Sequence, residues 1–127
     1  MDTNTKYKTK FSIQLHHGKR PGPGVHWDLR IVMPPNKVVW SWALPKMRFP
    51  EKGERILAVW VDDKHRIKDM THEGKWPGGD KVELYDYGYV QFLAFNKFRL
   101  VLNFYGNHIK GKYHLIKTDP NWIILKG

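Results

Sequence analysis

His16, His26 and Asp28 are the residues whose types and spacing carry the clearest chemistry in this chain. Side chains alternate faces along a β-strand. In the run Phe11 to His16, the apolar Phe11, Ile13 and Leu15 share one face, and Ser12, Gln14 and His16 share the other. In the run Val25 to Ile31, Val25, Trp27, Leu29 and Ile31 form the apolar face, opposite His26, Asp28 and Arg30. Paired as an antiparallel hairpin with apolar faces together, the two runs gather Gln14, His16, His26, Asp28 and Arg30 on one side. Two imidazoles and one carboxylate can make a three-ligand metal site with open positions. The planar fork of Arg30 suits a pair of phosphate oxygens. The same spacing also describes an ordinary solvated hairpin on which His and Asp simply pair with each other. His17 is the rival of His16, because a slip of one residue swaps their faces.

Other residues carry weaker signals. His65 follows Asp62 and Asp63 at the end of an apolar run, where functional side chains often sit; a solvated loop histidine is the competing reading. Lys46 and Arg55 can line an anionic pocket or stand free in solvent. The connection from His17 to Gly24 is basic and rich in Gly and Pro, and can reach over the site to a phosphate backbone. His72, His108 and His114 have no evident partner and are taken as structural. The six Trp and six Tyr are mostly core residues, with one or two available to stack on a base.

The elements that must position these groups read as strands. Besides Phe11–His16 and Val25–Ile31, the segments Val38–Leu44, Ile56–Val61, Val82–Tyr85, Tyr89–Phe95, Phe98–Tyr105, Lys112–Ile116 and Trp122–Leu125 are rich in β-branched and aromatic residues. Turn signals separate them at Pro34–Asn36, Pro50–Gly53, Pro77–Gly79, Asp86–Gly88 and Gly106–Asn107. Many short strands at this spacing predict an all-β fold, a small closed or partly closed antiparallel β-barrel with short helical turns. A turn of helix is expected near Phe49–Arg55. Residues 1–9 read as a flexible arm and 10–127 as one barrel domain, within the size range of a single domain.

Lys and Arg exceed Asp and Glu by 22 to 12, leaving a net charge of +10. That excess favours a polyanionic partner, nucleic acid first among them. The absence of Cys excludes disulfides and thiolate zinc sites. The apolar run Ile56–Val61 falls far short of the ~20 residues of a membrane helix. Met1–Lys10 lacks the apolar core of a signal peptide. A soluble, cytoplasmic protein with no membrane partner is expected.

Several ordered blocks together resemble a known family. Phe11-x-Ile13-Gln14-x-His16, His26-Trp27-Asp28-Leu29-Arg30 and Ser41-Trp42-Ala43-Leu44-Pro45-Lys46 come first. Arg55–Val59, Asp62–His65, Glu73–Gly79, Gly111–Leu115 and Asn121–Lys126 follow. In this order they are similar to the 3′-phosphoesterase domain of DNA ligase D. The resemblance implies a small β-barrel enzyme that uses manganese, or another divalent transition metal, to heal DNA 3′ ends. Its reactions are removal of a terminal ribonucleoside and hydrolysis of the 3′-phosphate left behind. It implies metal ligands at His16, His26 and Asp28, phosphate-binding roles for Arg30 and His65, and support from Lys46, Arg55 and Gln14. It implies DNA 3′ ends of primer–templates as substrate, with or without a 3′ ribonucleotide, and separate ligase or polymerase repair proteins as partners.

The chain departs from the family pattern in a longer loop between His16 and His26, an extra Lys64 before His65, and Asp69 where the family often has Tyr. The upstream acidic and basic residues of the family have no clear match in Met1–Lys10. Phosphate removal is therefore expected to outlast ribonucleoside removal, with water as the nucleophile. Three competing readings stand beside this one. They are a non-catalytic barrel that binds single-stranded nucleic acid, an iron oxygenase built on a His-x-Asp and distal His triad, and an inactive scaffold for repair partners.

Overall fold

The structure is a computed structural model and describes residues 7–18, 24–62, 65–75 and 80–127. The strands are β1 (Lys8–His17), β2 (Val25–Met33), β3 (Val38–Leu44), β4 (Arg55–Val61), β5 (Gly74–Lys75), β6 (Lys81–Phe95), β7 (Arg99–Tyr105), β8 (Lys110–Lys117) and β9 (Trp122–Lys126). A short 3-10 turn, Ile67–Thr71, precedes β5. Hydrogen bonding runs in the order β1-β2-β3-β4-β9-β8-β7-β6, and β6 pairs back onto β1 to close an eight-stranded antiparallel barrel. β5 adds to β6 outside the ring.

The alternation seen in the sequence selects the interior. Phe11, Ile13, Leu29, Trp42, Leu102 and Ile124 are among the side chains that fill it. An eight-stranded barrel has an interior just wide enough for side chains, and here that space is apolar. Truncating one of these residues, Leu29 for instance, removes about 2–5 kcal/mol. Among the described residues no helix is long and apolar enough to cross a membrane.

Three expectations change. The first strand begins at Lys8, inside the stretch read as an arm, because Lys8 and Thr9 pair with Gln91 and Val90 of β6; residues 1–6 lie outside the described residues. Asp86–Gly88 is no turn but the middle of the single long strand β6. The turn signal misleads there because Asp86 is buried at 1% exposure. Its carboxylate accepts backbone N–H bonds from Asn107, His108 and Ile109 at 2.8, 3.1 and 2.7 Å, pinning the β7–β8 turn. Gly88 is required because a Cβ there would collide with the Tyr105 carbonyl on β7. The helical turn falls at Ile67–Thr71, while residues 49–55 make only a turn closed by Glu54 N–H to the Glu51 carbonyl at 3.0 Å.

Candidate metal centre

β1 and β2 pair in the register the hairpin requires: His16 opposite His26, Gln14 opposite Asp28, Ser12 opposite Arg30. β3 extends the row, with Ala43 opposite Asp28 and Ser41 opposite Arg30. These side chains point away from the barrel interior, yet Ser12, Gln14, Asp28, Arg30 and Ser41 are all buried. The segment 65–75 packs against Gln14 of this row. Gln14 donates through Nε2 to the Asp69 carbonyl at 3.0 Å and the His72 carbonyl at 2.9 Å, fastening the 3-10 turn across β1.

Candidate ligand atoms of His16, His26 and Asp28 lie within 4.8 Å of one another. His16 Nδ1 is 3.0 Å from Asp28 Oδ2, and His26 Nε2 is 3.1 Å from Asp28 Oδ1. The two rings meet edge to face with centroids 4.8 Å apart. Each carboxylate oxygen thus faces one imidazole nitrogen. Burial alone would raise the Asp28 pKa. Hydrogen bonds with His16 and His26, and the charge of Arg30, outweigh it and hold the carboxyl well below the usual range. The His16 pKa is raised, first by its hydrogen bond to Asp28, against the opposing effect of burial, with Asp80 adding to the rise.

This donor chemistry is the test of whether a metal fits. His16 has Nδ1 against Asp28 and Nε2 against Asp80 Oδ2 at 2.9 Å, so both ring nitrogens face carboxylates. A neutral imidazole carries one N–H and one lone pair. One of these contacts therefore needs an added positive charge, either a second proton or a metal ion. With Nε2–H given to Asp80, Nδ1 is left as the donor atom. A carboxylate behind a metal-binding imidazole is the usual device for fixing ring tautomer and orientation. The residues present fit a divalent ion.

Arg30 lies directly behind the carboxylate, at 3% exposure. Nε donates to Gln14 Oε1 at 2.7 Å, Nη1 to Ser41 Oγ at 2.8 Å, and Nη2 reaches Asp28 Oδ2 at 3.4 Å. Gln14 and Arg30 together connect the covering segment to Asp28. His65 stands at the start of that segment, with Nδ1 3.8 Å from Asp69 Oδ2. Asp69 also accepts the Arg66 backbone N–H at 3.0 Å, so it closes the 3-10 turn. Lys46 is exposed in the turn after β3, and Arg55 is exposed at the first position of β4. Both belong to the barrel end where β1 finishes and β2 begins.

The structure separates His17 from its rival: His17 Nε2 pairs with Glu83 at 3.1 Å, away from the cluster. At the same barrel end, Gln14 faces Leu84 and Ile13 faces Asp86, so Tyr85 is an extra residue in β6. Its ring stacks between Trp27 and His108, with centroids 4.5 and 4.7 Å away. Sequence reading missed Asp80, Ser41 and this stack. Asp80 lies just before β6, after a Gly pair that reads only as a turn. Ser41 is the polar member of β3 on the Arg30 side, a signal that the register of a third strand would have exposed. The basic loop residues Lys19–Pro23, together with Asp63, Lys64 and Trp76–Gly79, lie outside the described residues.

The chain is similar to known proteins over most of its length. A family model described as the DNA Ligase D 3′-phosphoesterase domain matches residues 14–117. The multifunctional non-homologous end joining protein LigD of Mycobacterium bovis is 32% identical over 122 residues, covering 89% of this chain. The LigD DNA repair proteins of two Mycobacterium tuberculosis strains match to the same extent. The chain spans 15% of the length of these curated relatives.

Proposed function

Since the chain belongs to the DNA ligase D 3′-phosphoesterase domain family, we propose that it is a divalent-metal-dependent phosphoesterase that heals DNA 3′ ends in repair. The observation that carries the proposal is the Asp28 carboxylate held between His16 Nδ1 and His26 Nε2, with Arg30 behind it. His16, His26 and Asp28 would hold the ion, Mn²⁺ by preference, and Asp80 would keep the His16 ring in place. When bound, such an ion supplies Lewis acidity to a phosphoryl oxygen and acidifies water.

The chain's own residues supply the rest. His16 and His26 first, and Arg30 after them, keep Asp28 ionised against its burial and ready to coordinate. The Arg30 guanidinium, held by Gln14, Ser41 and Asp28, is the cation assigned to a phosphate oxygen. His65 contributes a second donor from the covering segment. Lys46 and Arg55 attract the DNA backbone to this end of the barrel, as exposed basic groups do for polyanions. A compact 3′-phosphate needs no more than this. A departing ribonucleoside also needs positioning, and Asp69, which closes the 3-10 turn, offers no aromatic surface for it. Phosphate removal is therefore the stronger reaction.

The test is a primer–template ending in 3′-phosphate or in a single ribonucleotide, incubated with the protein with and without Mn²⁺. Mn²⁺-dependent conversion of the 3′-phosphate to a 3′-hydroxyl is expected, faster than ribonucleotide removal. Retention of the 3′-phosphate by protein that binds Mn²⁺ would refute the reading.

A further inference from the structure

The opposite mouth of the barrel holds a second feature. β4 ends there, β8 ends and β9 begins there, and the β6–β7 turn lies there. Four tryptophans meet at this mouth. Trp40 and Trp60 have ring centroids 5.3 Å apart, Trp42 and Trp122 5.4 Å apart, and Trp60 and Trp122 are nearly parallel at 6.3 Å. A cavity of about 350 Å³ opens on the cluster, lined by Trp40, Trp60, Trp122, Pro120, Lys97 and Lys117. Trp60 is 37% exposed, and Phe98, in the β6–β7 turn at the same end of the barrel, 58%. Lys117 Nζ sits 5.8 Å from the centre of the Phe98 ring. Among the described lining residues none is acidic; Asp119 is in the adjoining turn, outside the lining.

We propose that this mouth is a binding site for an unpaired nucleotide of single-stranded DNA or RNA, separate from the His16–His26–Asp28 cluster. Indole faces and the Pro120 ring offer a base a flat apolar bed, and every base has a face to stack. Lys97 and Lys117 flank that bed with the charge that a phosphate on either side of the base requires. The lysines also decide against the other occupants. A second copy of this chain would bring its own net charge of +10 against them, and an apolar peptide would leave both ammonium groups without a partner.

The test is titration of the protein in EDTA at low salt with a short oligothymidylate, following the indole N–H resonances by NMR. EDTA makes the outcome independent of metal-centre chemistry. Resonances of Trp40, Trp60 and Trp122 should shift and saturate, while Trp27, at the other mouth, stays in place. Trp60→Ala should weaken binding about fivefold or more, the lower bound for one stacked base. The double variant Lys97→Gln with Lys117→Gln changes only exposed residues, so it keeps the fold. It should lower the slope of log K against log salt by about 1.4, at about 0.7 per phosphate contact. Shifts confined to Trp27, shifts that appear on concentrating the protein alone, or an unchanged affinity and salt slope in the lysine variant would each overturn the proposal.

Discussion

Asp80→Asn probes the metal centre without touching a ligand. Asp80 Oδ2 lies 2.9 Å from His16 Nε2, and its side chain is 38% exposed. Loss of a carboxylate behind a metal-binding imidazole costs about 10- to 100-fold in metal affinity. Here the low end applies: Asn keeps an oxygen that accepts the Nε2–H, and the partial exposure of Asp80 screens its charge. The expected loss at pH 8 is about tenfold, or about 1.4 kcal/mol. A second effect works the other way. Asp28 and Asp80 raise the His16 pKa above its ordinary 6.5, so at pH 6 the ion must displace a tightly held proton from the native protein. Asp80→Asn weakens the hold on that proton. The affinity gap between native protein and variant should therefore narrow as pH falls from 8 to 6. Titrating free Mn²⁺ by its electron paramagnetic resonance signal measures both quantities. An unchanged affinity at pH 8, or a gap that widens toward pH 6, would refute the reasoning. A loss well beyond 100-fold would make Asp80 a ligand rather than an orienting group.

Three further outcomes are expected. His26→Ala should lower Mn²⁺ affinity by more than about 100-fold, beyond the range of an orienting residue, and abolish phosphate release; a thermal melt like that of the native protein would show the fold intact. Gln14→Leu strips partners from Arg30 Nε and from the Asp69 and His72 carbonyls. It should cost about 3 kcal/mol in urea unfolding and speed amide exchange in the segment 65–75. In EDTA, the raised His16 pKa contributes stability that is complete below pH 6.5 and lost as pH rises through the folded value. The lowered Asp28 pKa contributes stability present above pH 3.8 and lost as pH falls below it. Urea midpoints in EDTA should therefore decline from pH 6 to pH 8, and saturating Mn²⁺ should remove the decline.

The part of the fold that could be read from the sequence is the part governed by period-two alternation. The alternation of Phe11–His16 and Val25–Ile31 determined both the core face and the polar face, and the register observed pairs His16 with His26 as that alternation demands. What escaped was set by contacts distant in the chain. Asp86 looks like a turn residue until the β7–β8 turn, 21 to 23 positions away, supplies the N–H groups that consume its carboxylate. Asp80 has no periodic signal at all, because its role depends on the start of β6 closing against the end of β1. Arg30 was legible as a cation on the right face, but its burial was not. That burial comes from Ser41 on a third strand and from Gln14 under the covering segment.

The closure of the barrel also explains why the polar residues sit where they do. Eight strands leave room inside only for packed side chains, and Phe11, Ile13, Leu29 and Trp42 already occupy that room. Ionisable groups on β1 and β2 therefore belong on the outer face, which in a bare barrel is wet. Water would weaken every charge interaction there, since Coulomb energy falls with the dielectric constant. Around Gln14, which donates to two carbonyls of the segment 65–75, Ser12, Asp28 and Arg30 are buried, while the His16 and His26 side chains keep 22% and 24% exposure. The same Gln14 accepts from Arg30, and Arg30 reaches Asp28. One amide thus links the segment 65–75 to the guanidinium beside Asp28. A change in the covering segment can reach Asp28 without touching His16 or His26.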